Sequence, residues 1–375
     1  MKKILLLTNT ASMILQFNMR NIEILTKTNY EVCVACNFVS GCTCSPELVE
    51  ELKDDLNKKK VRFFQIDFER NLRNFFSLVT VWKQIKKILK QENFDVIFCQ
   101  STIAGLLGRL LGVKFGCKVI YMVHGFQFYK GASKLRWGVF YTLEKILSKK
   151  TDLLLLTNRE DYEIANKKFF SKKTVYVPGV GVDIDSFKRN EIEGDKIRKE
   201  LNISSNDYVI FSAGELSERK NLRSVLHVIK LLNNPKIKYI ICGIGVLEQE
   251  FITFIEKNNL QNQVFLLGYR KDLCNIFSAA NLFVFPSFYE GLPVSLMMAI
   301  STKTPVICSR IRGNTDLIQN DLYMFDPNNE KMIKDKILMA MESNNSLVVE
   351  ENYKWVQNFS AQKVDELMKK LFLDI

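Results

Sequence analysis

The chain has 375 residues, 47% hydrophobic and 25% charged, with only 7 prolines and no low-complexity tract. That composition is globular and the length exceeds one ordinary hydrophobic core, so two α/β domains are expected; no apolar run approaches the roughly 20 residues of a membrane span. The formal charge of +12 is uneven: residues 1–180 hold 29 Lys and Arg against 16 Asp and Glu, and the remainder holds 24 against 25.

Such asymmetry suggests a face for an anionic partner. No nucleic-acid motif accompanies the charge and no nucleic-acid partner is expected. An anionic membrane surface or an acceptor bearing lipid phosphates fits it, as does a Lys-rich composition with no partner. Lys2-Lys3 and Ile4–Leu7 have the outline of a signal peptide, but the run breaks into Thr8-Asn9-Thr10 and reads as the first buried strand of a cytoplasmic protein.

Short β-branched runs then alternate with helical patterns. The predicted strands are Ile4–Leu7, Val32–Cys36, Phe63–Ile66, Val96–Cys99, Val119–Val123, Leu153–Thr157 and Thr174–Val177. A helix over Phe75–Gln91 places Leu78, Val81, Trp82, Ile85, Ile88 and Leu89 on one face. Strand–helix–strand alternation implies parallel sheets with right-handed crossovers. Pro178-Gly179-Val180-Gly181 reads as an interdomain hinge, after which the pattern restarts at Tyr208–Ala213, Tyr239–Cys242, Val264–Leu267, Leu282–Phe285 and Pro305–Cys308. The expected division is 1–180, 181–357 and a terminal segment 358–375. There Ser360 caps a helix whose Val364, Leu367, Met368 and Leu371 pack back on the first domain.

Most of the nine cysteines sit in apolar runs and read as buried and reduced. Cys33, Cys36, Cys42 and Cys44 form the one candidate metal cluster. Residues three apart on a strand face opposite ways and no histidine is near, so no metal is expected.

Parallel sheets bind ligands beyond the carboxyl ends of their strands. After Tyr208–Ala213 comes Gly214, then Glu215 to Asn221 with Arg219 and Lys220, a glycine loop with cations suited to a diphosphate. After Tyr239–Cys242 comes Gly243-Ile244-Gly245, which allows close approach but lacks the rest of a dinucleotide fingerprint. Gly268-Tyr269-Arg270 offers Tyr269 and Arg270 to a base or ribose. The sharpest segment is Pro286-Ser287-Phe288-Tyr289-Glu290-Gly291-Leu292-Pro293. Glu290 can accept hydrogen bonds from sugar hydroxyls, and Gly291, Leu292 and Pro293 open a helix whose N-terminus can face phosphate. His124, directly after Val119–Val123 and beside Gly125, is a candidate site residue; His227, mid-helix, reads as structural.

Together these segments, with Pro178 to Asp183 and Arg312 to Ile318, resemble glycosyltransferase family 4. The likeness is greatest to enzymes building bacterial capsule, exopolysaccharide or lipopolysaccharide, which Gly105 to Arg109 and His124-Gly125-Phe126 support. The resemblance implies the GT-B fold, two Rossmann-like doubly wound parallel-sheet domains facing a cleft. It implies an N-terminal acceptor-side domain, a C-terminal nucleotide-sugar-binding domain, and retaining transfer of a hexose or N-acetylhexosamine to a lipid-linked saccharide. Under it Arg219 and Lys220 grip the donor diphosphate and Glu290 binds the transferred sugar. His124 approaches that sugar from the other domain, and no cofactor or divalent metal is required. The family's second glutamate is here Met298, the frequent Arg of the phosphate loop is Glu215, and a histidine after the fourth strand is Gln100. A UDP-sugar 2-epimerase and a degenerate, non-catalytic partner of another transferase share the architecture.

Overall fold

The structure, a computed structural model, describes every residue except 41–43 and 70–74. Its described strands form two all-parallel sheets. The first comprises β1 (Lys2–Thr10), β2 (Tyr30–Asn37), β3 (Arg62–Gln65), β4 (Val96–Gln100), β5 (Lys118–Val123), β6 (Leu153–Leu156) and β7 (Lys173–Tyr176), in the order β3-β2-β1-β4-β5-β6-β7. The second comprises β8 (Tyr208–Ala213), β9 (Ile237–Cys242), β10 (Val264–Leu266), β11 (Leu282–Phe285), β12 (Val306–Ser309) and β13 (Met324–Phe325), in the order β10-β9-β8-β11-β12-β13. Two-residue β13 is too short to show a pattern and was not expected from the sequence.

Continuous apolar runs form the inner strands because helices cover both faces of each sheet. In β1, Ile4 and Leu6 enter one core while Leu5 and Leu7 enter the other, all fully buried. Cys33 and Cys36 part in the same way, to opposite faces of β2, and burial pushes the Cys33 thiol up to about 11. Cys42 lies outside the described residues. Gly105, Gly108 and Gly112 face the sheet from the Thr102–Lys114 helix, where a Cβ on Gly108 would stand 2.2 Å from Cys99 Sγ.

The chain divides into two compact units, Met1–Val180 with Gln362–Ile375, and Gly181–Ala361. The Ala361–Leu373 helix buries Val364, Met368, Leu371 and Phe372 among Ile4, Leu6 and Phe98 of the first unit. The Tyr30 hydroxyl donates to the Phe372 carbonyl (3.0 Å), and Arg20 pairs with Asp365 (2.6 Å). The return lies at Ala361/Gln362 rather than at 358, because residues 357–361 are still tied to the second unit. There Val182 N–H donates to the Phe359 carbonyl and Ala361 N–H to the Val182 carbonyl.

In both sheets the strand order reverses beside the first strand, between β1 and β4 and between β8 and β11. Loops on either side of such a point part and leave a crevice beyond the carboxyl ends. Each unit carries its polar side chains there.

Candidate active site

In the second unit the loops after β8 and β11 are bonded to each other. Phe288 N–H donates to the Arg219 carbonyl (2.9 Å), and Asn221 Nδ2 donates to the carbonyls of Pro286 (3.2 Å) and Pro327 (2.9 Å). Asn221 holds φ +53°, a left-handed conformation that asparagine tolerates, and so turns the short Glu218–Lys220 helix back over the sheet. This brings together three residues singled out from the sequence. Arg219 Nη1 and Lys220 Nζ each lie 2.7 Å from Glu290 Oε1.

Lys220 is buried, its ammonium also 4.6 Å from the Phe285 ring centroid, while Arg219 reaches toward the surface. Burial pushes the Glu290 carboxyl up, but Lys220 and Arg219 outweigh it and hold the group below its ordinary value. Burial also lowers Lys220, against the pull of Glu290. Two cations converge on one carboxylate, leaving an excess positive charge four residues before the Val294–Ser301 helix, whose N-cap position, Pro293, makes no side-chain cap.

Glycines let the loops meet. Gly243 has φ +149°, and a Cβ there would lie 1.8 Å from the Gly214 carbonyl oxygen; on Gly245 it would lie 2.4 Å from that of Leu216. Gly214 in turn leaves room for the Lys220 stem, whose Cε would stand 3.0 Å from an added Cβ. These three glycines therefore pack loop on loop. Arg312 Nε donates to the Glu290 carbonyl (2.8 Å), and Gly313, at φ +77°, fits its backbone against Gly291. Arg312 was read only as part of the resemblance; its buried hold on Glu290 spans two loops and leaves no local sequence signal.

The other candidates sit differently. Arg270 is engaged by Asp272 and Glu200, both at 2.8 Å, so its guanidinium is spent within the protein, and Tyr269 is exposed. Leu292 is half-buried and Pro293 buried. Met298, on the Val294–Ser301 helix, is half-buried against the core. His227 bonds Glu330 through Nδ1 (2.8 Å) and lies tilted against the Phe254 ring, which is a structural placement.

In the first unit, His124 follows β5 and its Nε2 lies 2.7 Å from Oε1 of Gln100, the last residue of β4. Gln100 is paired in turn with Asn18, between the Ala11–Phe17 and Met19–Lys27 helices. Across the switch point Ser101, held at φ +86°, donates to Asn9 Oδ1 (2.7 Å). Burial lowers His124 to about 4, so the imidazole is neutral at pH 7.

Two doubly wound parallel sheets, each with polar side chains at its switch point, are the architecture of the GT-B class. Residues 3–158 match the family model described as glycosyl transferase 4-like, and residues 193–362 match glycosyl transferases group 1. The chain is a glycosyltransferase and belongs to these families. It is 28% identical over 379 residues to the UDP-Gal:alpha-D-GlcNAc-diphosphoundecaprenol alpha-1,3-galactosyltransferase of Escherichia coli, an alignment covering 96% of this chain and 92% of that one. It is also 28% identical to EpsD of Bacillus subtilis, over 64% of this chain and 65% of EpsD. The Anabaena protein Alr3699/HepE, solved in complex with UDP, shares the fold over the whole of both chains with a TM-score of 0.77 at 16% identity.

Proposed function

We propose that this enzyme moves a hexose or N-acetylhexosamine from a UDP-linked donor to a lipid-linked saccharide in surface-polysaccharide biosynthesis, with retention and without a metal. The carrying observation is the Arg219–Lys220–Glu290 cluster, in which two cations share one carboxylate oxygen at the switch point of the second sheet. A nucleoside diphosphate brings the negative charge such a cluster lacks, and the cations supply the neutralisation of the leaving group. Glu290 accepts hydroxyls of the transferred sugar, and the second unit is the donor-binding one. In a front-face displacement the anomeric carbon's bond to the diphosphate oxygen breaks as that carbon bonds the acceptor oxygen on the same face. The acceptor's proton passes to the departing oxygen.

The UDP and lipid-linked assignments rest on what the Anabaena structure holds and on what the Escherichia coli relative acts on. Peripheral contact with the anionic inner leaflet rests on the first unit's surface. No helix among the described residues is long and apolar enough to cross a membrane. Between residues 131 and 151 the sole acid is Glu144, which is buried, whereas Leu135, Val139 and Ile146 are exposed among Lys134, Lys145 and Lys149. Apolar side chains flanked by cations suit an anionic lipid surface.

A second reading, a non-catalytic partner that has lost its nucleotide, is favoured by Met298, a thioether where a carboxylate would hold ribose hydroxyls. Calorimetric titration with UDP and GDP in EDTA separates the two. Micromolar UDP binding is expected; no binding to either nucleotide, restored by Met298→Glu, would give the second reading the lead. Glu290→Gln is expected to abolish transfer while UDP still binds. Lys220→Ala is expected to weaken UDP itself by about tenfold or more, the worth of one charged hydrogen bond. Normal turnover by both variants would refute the site.

A further inference from the structure

The contacts behind His124 have a fixed direction. Asn18 Nδ2 donates to the Met13 carbonyl (2.8 Å), a group that can only accept, so the Asn18 amide has one orientation. Asn21 Nδ2 donates to the other end of that amide, Asn18 Oδ1 (3.2 Å). Gln100 meets Asn18 head to head: Asn18 Nδ2 donates to Gln100 Oε1 (3.1 Å), and Gln100 Nε2 donates back to Asn18 Oδ1. Turning the Gln100 amide over would set NH2 against NH2 and oxygen against oxygen. Both side chains are fully buried, so neither can exchange its partner for bulk water. Gln100 Oε1 is therefore the atom facing His124 Nε2, and an oxygen without a proton requires that Nε2 carry one.

A neutral imidazole with its proton on Nε2 has a single lone pair, on Nδ1. That nitrogen has no hydrogen-bond partner among the described residues, and it is not one of the sealed, unpaired polar atoms of the protein. We propose that Asn18 and Gln100 are positioning residues that lock His124 as the Nε2–H tautomer. The first unit thereby presents an uncharged, acceptor-only nitrogen that takes a substrate hydroxyl and refuses a phosphate oxygen. A phosphate oxygen would bring lone pair against lone pair, whereas a sugar or acceptor hydroxyl brings the proton that Nδ1 needs. The assignment of a substrate to Nδ1 rests on the transferase reading above; the tautomer does not.

The chain's two histidines make the test clean. With 15N-histidine labelling of the full chain at pH 7, and His227→Gln to assign the signals, nitrogen–proton correlations identify which ring nitrogen of His124 is protonated. Nε2 is the one that couples to both carbon-bound ring protons. A protonated Nε2 and a bare Nδ1 are expected; a protonated Nδ1, or an imidazolium, overturns the proposal. Gln100→Met removes the acceptor and is expected to bring in the Nδ1–H form, while Gln100→Glu keeps an oxygen opposite Nε2 and retains the proton there. Asn18→Asp, which lets the Gln100 amide turn, gives a second perturbation should Gln100→Met not fold. An unchanged ring spectrum in the perturbed variants would refute the positioning role.

Transfer assays supply the second arm. Gln100→Met is expected to lower kcat/KM about tenfold with UDP binding unaltered. Unchanged kcat/KM alongside an altered ring spectrum would show that Nδ1 touches no substrate. A wild-type protein that transfers nothing would defeat the functional reading, while the spectrum would still decide the tautomer.

Discussion

A carboxylate taken out of water stays ionised only where opposite charge or donors stand close enough to offset its lost hydration. Glu290 meets that condition through Lys220 and Arg219, so the residue proposed to bind sugar is also the one that keeps two cations in place. His124 illustrates the reverse case: it has Phe17 and Gln100 for neighbours, neither of them charged, and burial alone depresses it to about 4. The sign follows from linkage. Between pH 6.5 and 4 the unfolded chain takes up a proton that the folded chain refuses, so stability falls as pH falls through this window. The loss is about 2 kcal/mol between pH 8 and pH 5. Urea unfolding at both values is expected to show that loss in the wild type and a smaller one in His124→Gln; equal losses would mean that the ring titrates normally when folded.

Helices and strands were readable where one element carried the whole signal. The β1 run, apolar at every position from Ile4 to Leu7, reads as a strand covered on both sides, and the ends of β8 and β11 pointed to Lys220 and Glu290 because a strand's carboxyl end is where ligands bind. Pairings between elements were not readable. Asn18 and Gln100 lie 82 residues apart, and nothing in Gln100's own surroundings says that its amide is held. Arg109 is a similar case. It looks like an exposed helix charge, yet it is buried, with Nη1 2.8 Å from Glu144 Oε2 and its guanidinium 4.2 Å from the Tyr121 ring. This pair joins the Thr102–Lys114 helix to the Thr142–Ser148 helix behind the exposed surface of residues 131–151. Glu144→Ala strands a buried guanidinium and is expected to cost about 3–5 kcal/mol, whereas Arg109→Met with Glu144→Leu costs far less. Denaturant midpoints of the three proteins check this; a double variant as unstable as the single would show that the charges stabilise rather than merely balance.

Over the whole molecule the excess charge belongs to residues 1–180, and its exposed apolar companions give it a direction of use. Lys145 and Lys149 stand 5.5 and 5.2 Å from the ring of Phe170, itself exposed, extending the surface that carries Leu135, Val139 and Ile146. Sedimentation with vesicles is expected to carry the protein down when anionic lipid is present, less so at high salt, and weakly for Leu135→Glu with Ile146→Glu. Equal recovery on neutral vesicles would leave the surface without this role. The terminal helix adds a constraint of another kind, on the order of events during synthesis. Val364, Met368, Leu371 and Phe372 complete a core whose first members are Ile4 and Leu6, so the earliest-made unit stays open along that side until the polymerised chain has passed residue 372. The second unit, whose residues 181–361 are continuous, leaves the ribosome ahead of that helix. Synthesis from the amino end therefore finishes the two units in reverse order, and a nascent chain that has just cleared the ribosome as far as residue 361 has its second sheet ready while its first still shows an apolar flank to chaperones.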